Sequence, residues 1–234
     1  MSLFLLVPEI LLAEATYRVP WADNLTFTIS QAPGDAVTTH IAARTREAVD
    51  FGMPEGTSVH AARSGLVIET EARFGATKDE DAVTHEGNFV RVRHEDGTIA
   101  TYGHLKHRGV AVAPGEKVQA GALLGYSGAT GDTNGAQLHF AVSRFEGGYE
   151  VAVPVRFYVG SPPIAFVPQR SLVVTANYKG PAVYPRAASD YRFGWWKRPE
   201  LPPDEVPTAW LKLAGLAAVL VAGIIWFWRF SRDA

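Results

Sequence analysis

Short runs of strand-forming residues recur about every ten residues from Leu25 onward, with turn signals between them. Leu25 to Gln31 alternates apolar and polar, and Val59 to Ala62 and Leu66 to Glu69 follow. Asn88 to Arg93 and Thr98 to Tyr102 flank Asp96-Gly97, a dipeptide whose glycine tolerates the positive φ of a tight hairpin. Val110 to Ala113, Val118, Leu123 to Tyr126 and Leu138 to Val142 continue the series around Pro114-Gly115. No long segment of 3.6-residue apolar period interrupts it before residue 209. This pattern predicts an all-β domain over residues 22–160, built as a sandwich or barrel. Residues 161–196 read as an extension at the domain edge, and Lys78 to Asp81 as a solvated charged loop.

The two ends read differently. From Ala209 to Trp228 the chain is apolar except for Lys212, and twenty helical residues span about 30 Å, the thickness of a bilayer core. Trp210, Trp226 and Trp228 suit the interfacial belts, and the Lys212 stem can snorkel to the headgroups. The expectation is one C-terminal transmembrane helix over 209–228. Arg229 and Arg232 follow the span while Asp204 and Glu205 precede it, which places the 229–234 tail in the cytoplasm and the β domain on the periplasmic or extracellular side. Residues 197–208 carry four prolines and form an extended linker. Residues 1–15 combine an apolar run with Ala13-Glu14-Ala15, the small-x-small form of a signal cleavage site, but lack a basic start; they read as part of a signal peptide or as a surface strand.

The chain holds no cysteine, so a metal site here must be built from His and carboxylates. A net charge of −2 provides no electrostatic footprint for nucleic acid. Seven histidines are available.

Three blocks, AVDFGMPEGTSVHAARSGLV (48–67), GNFVRVRHEDGTIATYGHL (87–105) and VAPGEKVQAGALLGYSGATGDTNGAQLHFAV (112–142), resemble in order the LytM/lysostaphin-type zinc metallopeptidases, family 23. VPVRF at 153–157 is similar to that family's closing strand. The resemblance implies an antiparallel β-sandwich with Zn2+ in a groove. It implies zinc ligands from an HxxxD pair and from the second His of an HxH, with two further histidines, one in a Tyr-x-His-Leu segment and one opening the HxH, assisting catalysis. Its implied substrates are the peptide crosslinks of bacterial cell walls. Three protein ligands leave one zinc position for water, and residues two apart on a strand share a face, so HxH aims both rings into one groove.

By that resemblance Asp50 and His139 fall on metal positions and His104 on a catalytic one. Two positions depart: Arg46 replaces the HxxxD histidine, and Gln137 replaces the histidine that opens the HxH. Arg has no lone pair for a metal and Gln exchanges no proton. If residues 46–50 are extended, Arg46 shares a face with Asp50 and sits where zinc would lie. If they instead form a loop, His40 supplies the third ligand. His60, His85, His94 and His107 fit no ligand position and read as surface or edge residues. Two functions follow: a catalytically degenerate, metal-poor, membrane-anchored module whose groove binds peptidoglycan peptide or activates a cell-wall amidase, or an active zinc endopeptidase using His40, Asp50, His139 and His104, with Zn2+ as its cofactor. A carrier module of similar β architecture is a third reading, opposed by the lack of a carrier lysine in a tight hairpin.

Overall fold

The computed structural model describes residues 15–36, 38–75 and 87–188. Fifteen strands run through them: β1 (Thr16–Arg18), β2 (Thr26–Gln31), β3 (Val49–Gly52), β4 (Ser58–His60) and β5 (Gly65–Glu71). Next come β6 (Asn88–Arg93), β7 (Ile99–Val110), β8 (Lys117–Val118), β9 (Leu123–Ser127) and β10 (Gln137–Glu146). The series closes with β11 (Tyr149–Ala152), β12 (Arg156–Val159), β13 (Ile164–Phe166), β14 (Leu172–Thr175) and β15 (Arg186–Ala187). There is no α-helix among the described residues, and none of their helices is long and apolar enough to cross a membrane. The segments at 197–208, 209–228 and 229–234, residues 1–14, Lys78 to Asp81 and His85 lie outside the described residues.

The main sheet runs β15-β14-β2-β3-β10-β7-β6-β5-β8, with β11 paired to β10 and the β4-β9 pair joined through β7. All of its ladders are antiparallel, as its short turns allow. A second, three-stranded sheet has the order β1-β12-β13. Phe157 of β12 lies with its ring centroid 5.4 Å from those of both Phe51 (β3) and Phe140 (β10), so the small sheet covers one face of the large one.

Period-two alternation divides the main sheet. Val49 and Phe51, Val90 and Val92, Ala100 and Tyr102, and Leu138, Phe140 and Val142 are fully buried on the core side. Their neighbours Asp50, Arg91, Thr101, His139, Ala141 and Ser143 face the opposite side and line a groove. The same alternation that builds the core therefore builds the site.

The core reaches beyond 22–160 at both ends. Tyr17, Val19 and Trp21 are buried, and β1 runs parallel to β12. Past residue 160, Phe166, Val174 and Ala176 are buried, and β14 extends the main sheet by pairing with β2. β14 is thus an outer strand of the main sheet and β13 an outer strand of the small one. These strands are three or four residues long, too short to show a period in the sequence.

Candidate metal centre and groove

His139 stands in the middle of three strands. The β10-β3 register places it opposite Asp50, and the β10-β7 register places it opposite Gly103. That glycine leaves it room: a Cβ on residue 103 would lie 3.3 Å from the His139 Cβ, a tight contact. His139 Nδ1 lies 2.9 Å from Asp50 Oδ1. The other carboxylate oxygen of Asp50, Oδ2, lies 3.1 Å from His40 Nε2.

His40 comes from the loop between β2 and β3. Residues 43–47 of that loop form turns, not extended chain, with the amide of Arg46 donating to the carbonyl of Ala42 at 3.0 Å. The turns bring His40 over Asp50 and leave Arg46 exposed. Arg46 therefore does not pair with Asp50, contrary to the extended-chain expectation; the Asp50 carboxylate is taken by His40, His139 and Gln31.

One ligand atom each from His40, Asp50 and His139 lie within 4.8 Å of one another. A tetrahedral zinc with bonds of about 2.0–2.1 Å holds its ligand atoms about 3.3 Å apart, a spacing the three side chains can reach from within that 4.8 Å limit. Two imidazoles and one carboxylate, with a position left over, also match the donor chemistry of a catalytic zinc site. The residues fit the metal. Burial opposes the charge on Asp50, but hydrogen bonds from His139 and His40 outweigh it and hold the carboxyl well below the usual carboxylate range. The site thus keeps an anionic ligand ready.

His104 enters the groove through a bulge. On β7, Ala100 and Tyr102 face the core, and strict alternation would send His104 the same way. The β6-β7 register slips between Asn88 and Val90, so that Leu105 becomes the buried residue and His104 turns outward. His104 has φ 58°, a left-handed conformation that costs a non-glycine residue about 1–3 kcal/mol. Its Nδ1 lies 2.8 Å from the carbonyl of Thr130. A carbonyl only accepts, so Nδ1 carries the proton and Nε2 keeps its lone pair. Burial lowers the His104 pKa, as does the neighbouring His139. Both effects favour the neutral ring, which lies 5.7 Å between centroids from His139.

A buried polar network holds this bulge. Thr130 Oγ1 donates to the Leu105 carbonyl (2.7 Å) and accepts from the Asn88 amide (2.9 Å). Asn88 Nδ2 donates to the same carbonyl at 3.1 Å. Neither Asn88, Thr130 nor Gln31 stood out in the sequence, since Asn, Thr and Gln near strand ends carry no distinguishing signal. Gln137 pairs with Gly52 two residues before His139, on the groove-facing phase of β10. His60 and His107 are bound to backbone carbonyls away from the triad. His94, expected as a surface or edge residue, stands directly after β6 beside the hairpin turn and is buried: its Nδ1 bonds to the Ser64 carbonyl and its ring packs on Tyr17.

The groove has a volume of about 620 Å³ and runs from His40 and His104 past Thr101 and Ser143 to Glu150. Its far end is charged: Arg91 is ion-paired with both Glu69 and Glu150. From His139 to Ser143 the floor extends about 14 Å at about 3.4 Å per residue, room for an extended peptide of about four residues.

Residues 44–152 match the model of peptidase family M23, a span that begins four residues after His40. The chain is 33% identical over 91 residues to the peptidoglycan DD-endopeptidase ShyA of Vibrio cholerae, covering 39% of this chain and 18% of that protein. It is 33% identical over 97 residues to the DD-carboxypeptidase/endopeptidase Mpg of Neisseria meningitidis, covering 42% of this chain and 20% of that protein. It thus spans about a fifth of the length of these curated relatives. Among solved structures, the antimicrobial peptidase lysostaphin from Staphylococcus simulans is 27% identical, with 59% of this chain and 52% of that one covered and a TM-score of 0.41.

Proposed function

We propose that the domain of peptidase family M23 at residues 44–152, completed by His40 from the loop before it, is a zinc-dependent hydrolase of peptidoglycan peptides. The observation that carries this reading is the meeting of His40, Asp50 and His139 around one point, which restores the three-ligand set that Arg46 removes from the sequence motif. Zinc bound there would supply Lewis-acid polarisation of a peptide carbonyl and an acidified water. The protein's own groups do the rest. The sheet floor holds the substrate extended beside His139. His104, fixed by Thr130, receives a proton at Nε2 and returns it to the leaving amine. Gln137 offers an amide N–H to developing negative charge but no exchangeable proton, so turnover is slower than with a second histidine.

Gln137 favours a second reading, in which the groove binds peptide without cleaving, with or without zinc, and serves as a binding or amidase-activating module. In both readings we propose that residues 209–228 anchor the domain on the outer side of a membrane, near its wall substrate. The test is metal content and hydrolysis of purified peptidoglycan by the full chain. The first reading expects about one zinc per chain, cleavage of stem-peptide bonds, and loss of both in His40→Ala. Gln137→His then raises the rate. No cleavage, with or without zinc, selects the binding module; no zinc in the wild type removes the hydrolase reading.

A further inference from the structure

The third ligand comes from a loop rather than a strand, and a loop must be ordered before it can ligate. Residues 32–48 connect β2 to β3, and ordering each backbone residue opposes folding by about 1–2 kcal/mol. One side chain ties this loop to the metal centre at its midpoint. Gln31 Nε2 donates to Asp50 Oδ2 at 2.7 Å, the same oxygen that faces His40. Gln31 Oε1 accepts the backbone N–H of Thr39, the residue beside His40, at 3.0 Å. The amide orientation is unambiguous, because a carboxylate only accepts and a backbone N–H only donates.

A β-bulge makes this possible. Thr28 pairs with Gly52 and Ile29 with Phe51, but the register then shifts, so that Gln31 rather than Ser30 stands opposite Asp50. Ser30 instead donates its hydroxyl to the Asp50 carbonyl at 3.1 Å. An unbulged ladder would place a side chain too short to reach Thr39 beside the carboxylate. The bulge exchanges it for one that spans both groups.

We propose that Gln31 is a positioning residue of the metal centre, one amide that sets the Asp50 carboxylate and holds the loop so that His40 reaches the metal. This rests on the reading of His40, Asp50 and His139 as ligands. Partners of this kind alter metal affinity by about 10- to 100-fold when removed.

The test measures zinc affinity of the full chain by chelator competition, and hydrogen exchange of the Thr39 amide in metal-free protein. Gln31→Met, similar in length but without hydrogen bonds, is expected to weaken zinc binding about 10- to 100-fold and to release the Thr39 amide to exchange. Thr39→Pro removes the accepted N–H from the other side at an exposed position, and is expected to weaken zinc similarly with Gln31 intact. Combining the two should cost no more than the larger single effect, since both break one link. Zinc affinity within about twofold of wild type in both single variants overturns the proposal, as does a Thr39 amide that exchanges freely in the wild type. A wild type that binds no zinc overturns the ligand reading instead, and the exchange measurement still reports whether Gln31 holds the loop.

Discussion

Replacing Asn88 by Ala separates the support of His104 from the proposed metal ligands. Asn88 is fully buried and its side chain makes three hydrogen bonds: Oδ1 accepts from the Phe74 amide at 2.9 Å, and Nδ2 donates to the carbonyls of Phe74 (2.9 Å) and Leu105 (3.1 Å). Each buried bond contributes about 0.5–1.5 kcal/mol net, which gives about 3 kcal/mol for three. Two features reduce the loss. The Leu105 carbonyl keeps its bond from Thr130 Oγ1, and Phe74 is only half-buried, so its backbone can recruit water. The expected destabilisation is about 2–3 kcal/mol, or about 5–10 °C in Tm for a domain of this size. Urea unfolding of metal-free protein measures it. Asn88 touches none of His40, Asp50 or His139, so zinc stoichiometry should be unchanged. Hydrolysis should fall beyond what unfolding explains, because the carbonyl next to His104 loses one of its two braces. A loss below about 0.5 kcal/mol would show that the network does not hold the bulge. A loss of zinc would show that bulge and ligand set are one unit.

Two further outcomes are expected. Arg46→His should leave zinc affinity within about twofold of wild type, because residue 46 is exposed on a turn and His40 already lies against Asp50 where the proposed ligand is needed; a tighter or additional zinc by chelator titration would refute that placement. Burial lowers the pKa of His94 below the ordinary histidine value of about 6.5, so the unfolded chain takes up its proton first as pH falls. His94 thus leaves stability intact above about 6.5 and erodes it as pH drops from there through its folded pKa. Denaturation of metal-free wild type and His94→Phe between pH 7 and 5 should show a shallower slope in the variant, and equal slopes would contradict it.

Much of this protein is legible in one dimension. Alternation in Asn88–Arg93 and Leu138–Val142 separates core from groove, because a strand has period two whatever its neighbours are. The Asp96-Gly97 hairpin follows from the positive φ of Gly97, which is 82° in the structure. Asp50, His104 and His139 lie in long blocks whose order is itself a signal, and the structure brings all three to one groove. The absence of cysteine restricts the donor set to His and carboxylate before any coordinates are known.

Three things needed the folded chain. The proposed third ligand, His40, is a loop residue ten positions before Asp50, and no spacing rule selects it, since its position depends on the turns at 43–47. Bulges at His104 and between Ile29 and Gln31 reverse the side-chain phase of a strand; they are set by pairing with another strand, and so are invisible in either strand alone. The outer strands β13 and β14 are too short to carry a period and become strands only because Val159 and Phe27 lie beside them to complete the hydrogen bonds. The sequence by itself determined the chemistry of the donors and the two faces of each strand; the tertiary structure decided which donors meet, because convergence of residues 40, 50 and 139 is a property of register and loop closure rather than of local preference.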